Sequence, residues 1–557
     1  MQNLGSTALG THLESPFRHL LSTNTVPSDA ECEAIRQFLS ELKKNFVAVT
    51  QEIARMQTVL SDLTDRCERL SESIDAHQAV VSLARRLPED VLREIFLACL
   101  PSAGNPVMSS REAPMLLVQV CSNWRKIAFA TPQLWSSLHV VVPNVARLRD
   151  LTTAVDAWLA RSGVLPLSIT LAVSAACEPA SDNVATMIDV LANFSQRWKR
   201  IKLTLSPRTI LTPLTNLHAS DVPLLESIAF TSVGSGFWQN LVMPLDIPWR
   251  TINFLRTPSI RSASFASLGG NFLGLTLPWP TLQSLSLTTG NIKDSTSFHL
   301  TTTMALVILR QCPNLKKCML CITSDRNSVE NDPKTQPPPL TLSHLKEFKV
   351  DNREHSQANA VFLFRSLRCP ELKSFGYRGP KYGGQLPFIS MFSAIHTLER
   401  LTVDIKGLAR VAFLDCLELL PSLTSLRLEG GGDYDPWSSP SAHWGRENPL
   451  VSANDILRHL TPDPRASNDC PCPFLTRLEV MRCQPLADDV VFNFIHVRAE
   501  VGYPLEYVYV AFTRQIEFDM MPHLRELVSQ GLKISLKYLP APALPRYSPW
   551  EGRDDMA

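Results

Sequence analysis

No stretch of the chain approaches the roughly 18 consecutive apolar residues of a membrane helix, and residues 1–25 have no basic start followed by an apolar core. Neither a membrane span nor an export signal is expected. Charge of one sign is equally scarce. The 54 basic and 53 acidic residues leave a net charge of +1, and no long basic run appears, so a nucleic-acid partner is not expected. Thirteen cysteines in 557 residues are too sparse for a disulfide scaffold. Reduced thiols in an intracellular chain, cytoplasmic or nuclear, are the expectation.

Signatures of chemistry are missing as well. There is no Walker A loop, no Rossmann glycine fingerprint, no HExxH and no GxSxG. Glycines 430–432 follow an apolar alternation, but no lysine or helix start comes after them to hold phosphate. Cys312, Cys318, Cys321, Cys470 and Cys472 suggest zinc at first sight. However, Cys312, Cys369 and Cys472 each stand directly before a recurring proline, and Cys318 fills an apolar repeat position, so buried thiols are the simpler reading. No catalytic residue, cofactor or metal is assigned, and the protein is not expected to be an enzyme.

Glycine and proline are absent from residues 30 to 87, so nothing there interrupts a helix. In that span Ile35, Leu39, Leu42, Phe46, Val49, Ile53, Met56, Leu60, Leu63, Cys67, Leu70, Ile74, His77 and Val81 alternate at steps of four and three. Thirteen of these fourteen are apolar, and a mean step of 3.5 keeps one seam on one side of a supercoiling helix. At about 1.5 Å per residue the seam is about 70 Å long. It predicts either pairing with another helix, including self-association, or docking along the protein's own surface. Ser28 or Asp29 caps the start, with Glu31 and Glu33 favouring the positive helix end.

Next comes RRLPEDVLREIFLACLP, residues 85–101. Pro88 suits the first helical turn, Glu89 and Asp90 complement the dipole, and Val91, Leu92, Ile95 and Phe96 give one broad apolar side. Pro101 and Gly104 end the helix. After a polar linker, Leu117, Val120, Cys121 and Trp124 fall at helical spacing, followed by Leu134-Trp135. About 50 residues cannot hide so much apolar surface by themselves, and such a surplus points to a partner. The order Leu87-Pro88-x-x-Val91-Leu92-x-x-Ile95-Phe96, Val120-Cys121-x-x-Trp124-Arg125, Leu134-Trp135 resembles the F-box, in the subgroup with a heptad helix directly before the box. The resemblance implies docking on a Skp-type adaptor of a cullin–RING ubiquitin ligase. It implies that Leu87, Pro88, Val91, Leu92, Ile95 and Phe96 face the adaptor or lie beside it. Val120, Cys121, Trp124, Leu134 and Trp135 either contact it or pack the small core.

Beyond residue 195 the pattern apolar-x-x-apolar-x-apolar recurs eleven times, from WKRIKL (198–203), LESIAF (225–230) and IRSASF (260–265) to LTRLEV (475–480) and LEYVYV (505–510). Steps run from 22 to 35 residues, with one of 52, and most intervals carry an amphipathic helical stretch. Pro223, Pro258, Pro280, Pro313, Pro370, Pro421 and Pro473 each stand two places before the motif, where proline stops a helix and sets an extended entry. Strand plus helix at this period resembles leucine-rich repeats. Stacked units cover one another's apolar faces, and the alternating polar residues fall on the concave sheet face.

The expected fold class is therefore α/β: an all-α N-terminal helix and F-box helical domain, then an irregular leucine-rich-repeat solenoid, a curved parallel sheet with outer helices. The divisions are a disordered 1–29, the heptad helix 30–84, the F-box 85–138, a bridging α/β segment 139–195, the solenoid 196–538 and a disordered tail 539–557. A loop insertion, 429–449, carries two tryptophans that also suit substrate contact. The expected function is that of a substrate receptor holding an unknown protein target near a ubiquitin ligase. A leucine-rich scaffold unrelated to ubiquitin is the alternative.

Overall fold

The computed structural model describes residues 15–539, except 22, 143–147, 174–180, 206–211, 233–244, 247–248, 267, 270–271, 289–299, 324–337, 354–355, 381–385, 393–394, 396, 431–449 and 464–469. The tail from 540, residues 1–14 and nearly all of the 429–449 insertion thus lie outside the described residues. The chain divides into two units, Met1–Leu92 and Arg93–Ala557.

The first unit is dominated by one helix, α1, Asp29–Val81, of 53 residues. Ser28, not Asp29, is its cap. The Ser28 hydroxyl accepts from the Glu31 N–H at 3.4 Å, and the Glu31 carboxylate accepts from the Ser28 N–H at 2.8 Å. This reciprocal box satisfies two donors that a helix start otherwise leaves open, and its hydrogen bonds with Ser28 hold the Glu31 carboxyl below the usual range. Segment 1–29, expected to be disordered, carries a turn and a short helix, Arg18–Leu21. The reason is apolar: the Phe17 ring stands 6.0 Å from that of Phe38, edge to face. A second helix, α2, Glu89–Ala98, follows Pro88 as its start signals predict, and the unit boundary falls inside it.

The second unit is a mixed α/β assembly around a parallel sheet of fourteen strands, open at both ends and strictly sequential in order, with two short two-stranded ladders beside it among the described residues. The strands are β1 Ser137–Val142, β2 Leu167–Val173, β3 Trp198–Leu205, β4 Ser227–Ser232, β5 Ser262–Ala266, β6 Ser284–Thr288 and β7 Lys317–Thr323. They continue as β8 Glu347–Arg353, β9 Ser374–Arg378, β10 Arg400–Asp404, β11 Ser425–Glu429, β12 Arg477–Met481, β13 Tyr507–Ala511 and β14 Lys533–Lys537. All eleven sequence motifs become strands of this sheet, β3 to β13.

Register follows from the motif. Its fourth residue pairs with the fourth residue of its neighbour throughout: Ile201 with Ile228, Ala263 with Leu285, Phe348 with Phe375, Leu426 with Leu478. A one-residue slip would turn every apolar side chain to the opposite face. The first, fourth and sixth residues of all eleven copies are buried, the most exposed being Leu505 at 6%. Each such side chain contributes roughly 1.5–3 kcal/mol when taken fully from water. Helices lie between many strands, among them Thr302–Arg310, Gln357–Arg365, Arg410–Glu418, Ala453–Leu460 and Asp488–Glu500. This strand-and-helix succession is solenoid-like.

Two features depart from expectation. The segment 139–195, read as a bridge, holds part of β1 and all of β2, so the sheet begins within it rather than after it. The polar linker before Pro114 is not a free loop. The Pro106 carbonyl accepts from the His139 N–H at 2.7 Å, Val107 bridges to His139, and Asn105 Nδ2 donates to the Ser168 carbonyl and the Thr170 hydroxyl, both at 3.0 Å. The linker covers the outer edge of β1, which would otherwise offer bare donors and acceptors to another chain.

Candidate functional site

Helix α2 divides its apolar residues by exposure. Leu92 and Phe96 are 2% and 0% exposed, whereas Val91 and Ile95 are 40% and 38% exposed. Val91 and Ile95 are four apart and so share a face. Pro88 is exposed and Leu87 half-buried. Within the second unit Phe96 packs against Trp124, ring centroids 4.9 Å apart.

The remaining positions sort in the same way. Val120 is exposed at 56%, while Cys121 and Trp124 are half-buried. Cys121 caps the helix Ser122–Phe129, its Sγ accepting from the Trp124 N–H at 3.4 Å. Leu134 and Trp135 are wholly buried, with the Trp135 indole donating to the Ala128 carbonyl at 2.9 Å. Leu92, Phe96, Leu134 and Trp135 are therefore core residues, with no surface left for a partner. Trp135 has a further reason to be inside. It stands three residues before Leu138, and Leu138 shares the sheet ladder with Ile169 and Ile201. Trp198 stands three before Ile201 and is buried too. Trp135-x-x-Leu138-x-Val140 is thus one more copy of the repeat motif, overlapping the stretch read as the end of the helical domain. Leu116 and Phe129, exposed at 46% and 42%, were missed among the surface residues; only their place in the apolar runs MLLVQV and KIAFATP hinted at them.

A second surface is the polar face of the sheet, and it has two regions. On β4, β5 and β6 it presents small side chains, including Ser227, Ser262, Ser284, Ser264 and Ser286. From β9 onward it carries a chain of ion pairs across successive strands. Arg378 lies 3.4 Å from the Asp404 carboxylate and 3.3 Å from that of Glu429. Arg427 bridges Glu429 at 2.9 Å and Glu479 at 3.0 Å. Arg477 reaches Glu479 at 3.2 Å and stacks its guanidinium 4.0 Å from the centre of the Tyr507 ring. Burial raises the Asp404 carboxyl above its usual value, against the Lys406 N–H and Arg378, which lower it. The residues one beyond the motif in RLTVD (400–404) and SLRLE (425–429) held the signal for this ladder.

The thiols sit where the repeat puts them. Cys312, Cys318, Cys369 and Cys472 are at most 3% exposed, and burial pushes the Cys312, Cys369 and Cys472 thiols up to about 12. Cys470 instead touches the buried Arg498 guanidinium at 3.3 Å. Among the described residues no group of three His, Cys, Asp or Glu side chains is placed to hold a metal ion. None of the described helices is long and apolar enough to cross a membrane. Comparison with protein-family models finds no match, and comparison with curated proteins finds none either.

Proposed function

We propose that the chain is an F-box substrate receptor: its F-box docks on a Skp-type adaptor of a cullin–RING ubiquitin ligase, and its leucine-rich-repeat solenoid recruits a protein target. The observation that carries this reading is the pair Val91 and Ile95, apolar and exposed on one side of a helix that buries Leu92 and Phe96. A short helix that buries two large apolar residues in the core and leaves two others partly exposed suits a partner's groove. The motif order around it resembles the F-box.

The division of labour follows. The helical segment takes the adaptor, and the polar sheet face, with its small-residue region and its ion-pair ladder, takes the target. The protein itself catalyses nothing and works by raising the effective concentration of target near the transfer module. This places it inside the cell, in cytoplasm or nucleus.

Co-purification with a Skp-type adaptor tests the reading. Wild type is expected to retain adaptor, and a Val91→Asp/Ile95→Asp variant to lose it while keeping its melting temperature. Equal retention by both, or by neither, overturns the proposal.

A further inference from the structure

Helix α1 presents its apolar seam to solvent along almost its whole length: Phe46 is exposed at 73%, Ile53 at 51%, Leu60 at 66% and Ile74 at 54%. Among the described residues of its own unit, Phe17 packs an aromatic ring against it, at the first turns. A seam about 70 Å long without cover calls for another helix. The residues flanking the seam select which helix and in which direction.

In a parallel pair each seam residue meets its own copy, so His77 would face His77 and Cys67 would face Cys67. The flanking positions then set Glu52 beside the partner's Gln57, Arg66 beside the partner's Ser71 and Val59 beside the partner's Thr64; the one match of opposite charges, Glu31 beside the partner's Arg36, falls in the first turns, at the start of the seam. In an antiparallel pair of full overlap, Ile35 lies opposite the partner's Val81, Met56 opposite the partner's Leu60 and Cys67 opposite the partner's Val49. His77 then meets the partner's Leu39. One flank now sets Glu52 against the partner's Arg66, twice by symmetry, and Val59 against its own copy. The antiparallel register thus matches charge with charge and apolar with apolar. It also separates the two imidazoles, each of which already donates from Nδ1 to its own Ser73 carbonyl at 2.6 Å.

We infer that α1 pairs with α1 of a second copy of this chain as an antiparallel two-stranded coiled coil, in the register that sets Glu52 against the partner's Arg66. The inference rests on the seam and its flanks alone and is independent of the adaptor reading.

The full-length chain tests it. Light scattering is expected to give the mass of two chains at micromolar concentration. Glu52→Arg is expected to weaken the dimer by roughly tenfold, by replacing two attractions with two repulsions, and Glu52→Arg/Arg66→Glu to restore it. Orientation is read with a short bis-maleimide. Wild type should give no Cys67–Cys67 link, and Val49→Cys should link to the partner's Cys67. A monomer, a larger assembly, a Cys67–Cys67 link in wild type, or no rescue by the double swap overturns the inference.

Discussion

The rings of Trp135 and Trp158 meet edge to face with their centroids 4.8 Å apart, and both are buried. Trp158 lies on the helix Leu148–Arg161 and donates from its indole to the Ser137 carbonyl at 3.2 Å. Arg161, on the same helix, sits over Trp135 and Phe129, at 5.0 and 4.8 Å. One aromatic cluster therefore fastens the helical segment to the first strand. Trp135→Ala is expected to cost about 3–5 kcal/mol, whereas Val120→Ala, at an exposed site, should change stability by less than about 0.5 kcal/mol. Urea unfolding of the two variants measures the difference. Equal effects would show that Trp135 does not anchor this junction.

The same contrast separates buried from exposed positions on helix α2. Phe96→Ala removes a fully buried ring and should lower stability by about 3–5 kcal/mol. Ile95→Asp should leave stability within about 1 kcal/mol, because its side chain is not part of the buried core. If Ile95→Asp unfolds the chain as readily as Phe96→Ala, the exposed face of α2 is part of the core after all.

Asn105 guards the outer edge of the sheet. Its amide donates to the Ser168 carbonyl and the Thr170 hydroxyl and accepts from the Ser168 hydroxyl at 3.1 Å. Asn105→Ala is expected to cost about 1–3 kcal/mol, since the abandoned groups are partly buried. It should also speed hydrogen exchange at His139, whose N–H is held by the same linker. Unchanged exchange there would mean that the linker closes the edge without Asn105.

Repeat register can be read from thiol chemistry. Cys67 and Cys99 are exposed, while Cys312, Cys369 and Cys472 are buried, with thiols pushed up to about 12. Only thiolate reacts with a maleimide or iodoacetamide at useful rates. At pH 8 the native chain should label at Cys99, with Cys312, Cys369 and Cys472 silent until denaturant is added. Mass mapping that finds Cys369 modified in the native protein would place that repeat out of register.

The strands were legible because their pattern is strict. Two apolar residues with one polar between them, plus an anchor three before, leave a chain few ways to bury all three. The strands outside the eleven motifs show the limit, although LPLSITLAV (165–173), which holds β2, reads as strand-like by itself. In β2 and β14 the anchor position holds Pro166 and Gly531, so the pattern loses its first term. In β1 the anchor is Trp135, and its place beside Leu134 invited a docking role instead. Heptad spacing located α1 but left its cover open, since spacing records which side is apolar and not what lies against it. The ion-pair ladder was hidden for another reason. Arg427 and Glu479 are 52 residues apart in sequence, and only the sheet register makes them neighbours.

Asp488 gives the sheet's far end an acid sensitivity. It is 2% exposed, and its carboxylate accepts from the Glu517 N–H at 3.0 Å, the Phe518 N–H at 2.9 Å, Arg514 at 3.2 Å and the Tyr538 hydroxyl at 3.0 Å. Burial alone raises this carboxyl, but Arg514 and the other three donors outweigh it and hold the group below the usual carboxylate range. A carboxyl whose folded value is depressed stabilises the fold above its unfolded value, about 3.9. That contribution is lost as pH falls through the folded value. Asp488→Asn should therefore be less stable than wild type at pH 7, by about 1.5–3 kcal/mol for a charge-assisted site. The gap between the two should stay level down to about pH 5 and then narrow as pH falls below about 4. Urea midpoints at pH 7, 5 and 3 measure it. A gap that stays constant to pH 3 would mean that the Asp488 charge adds nothing its hydrogen-bonding shape does not already supply.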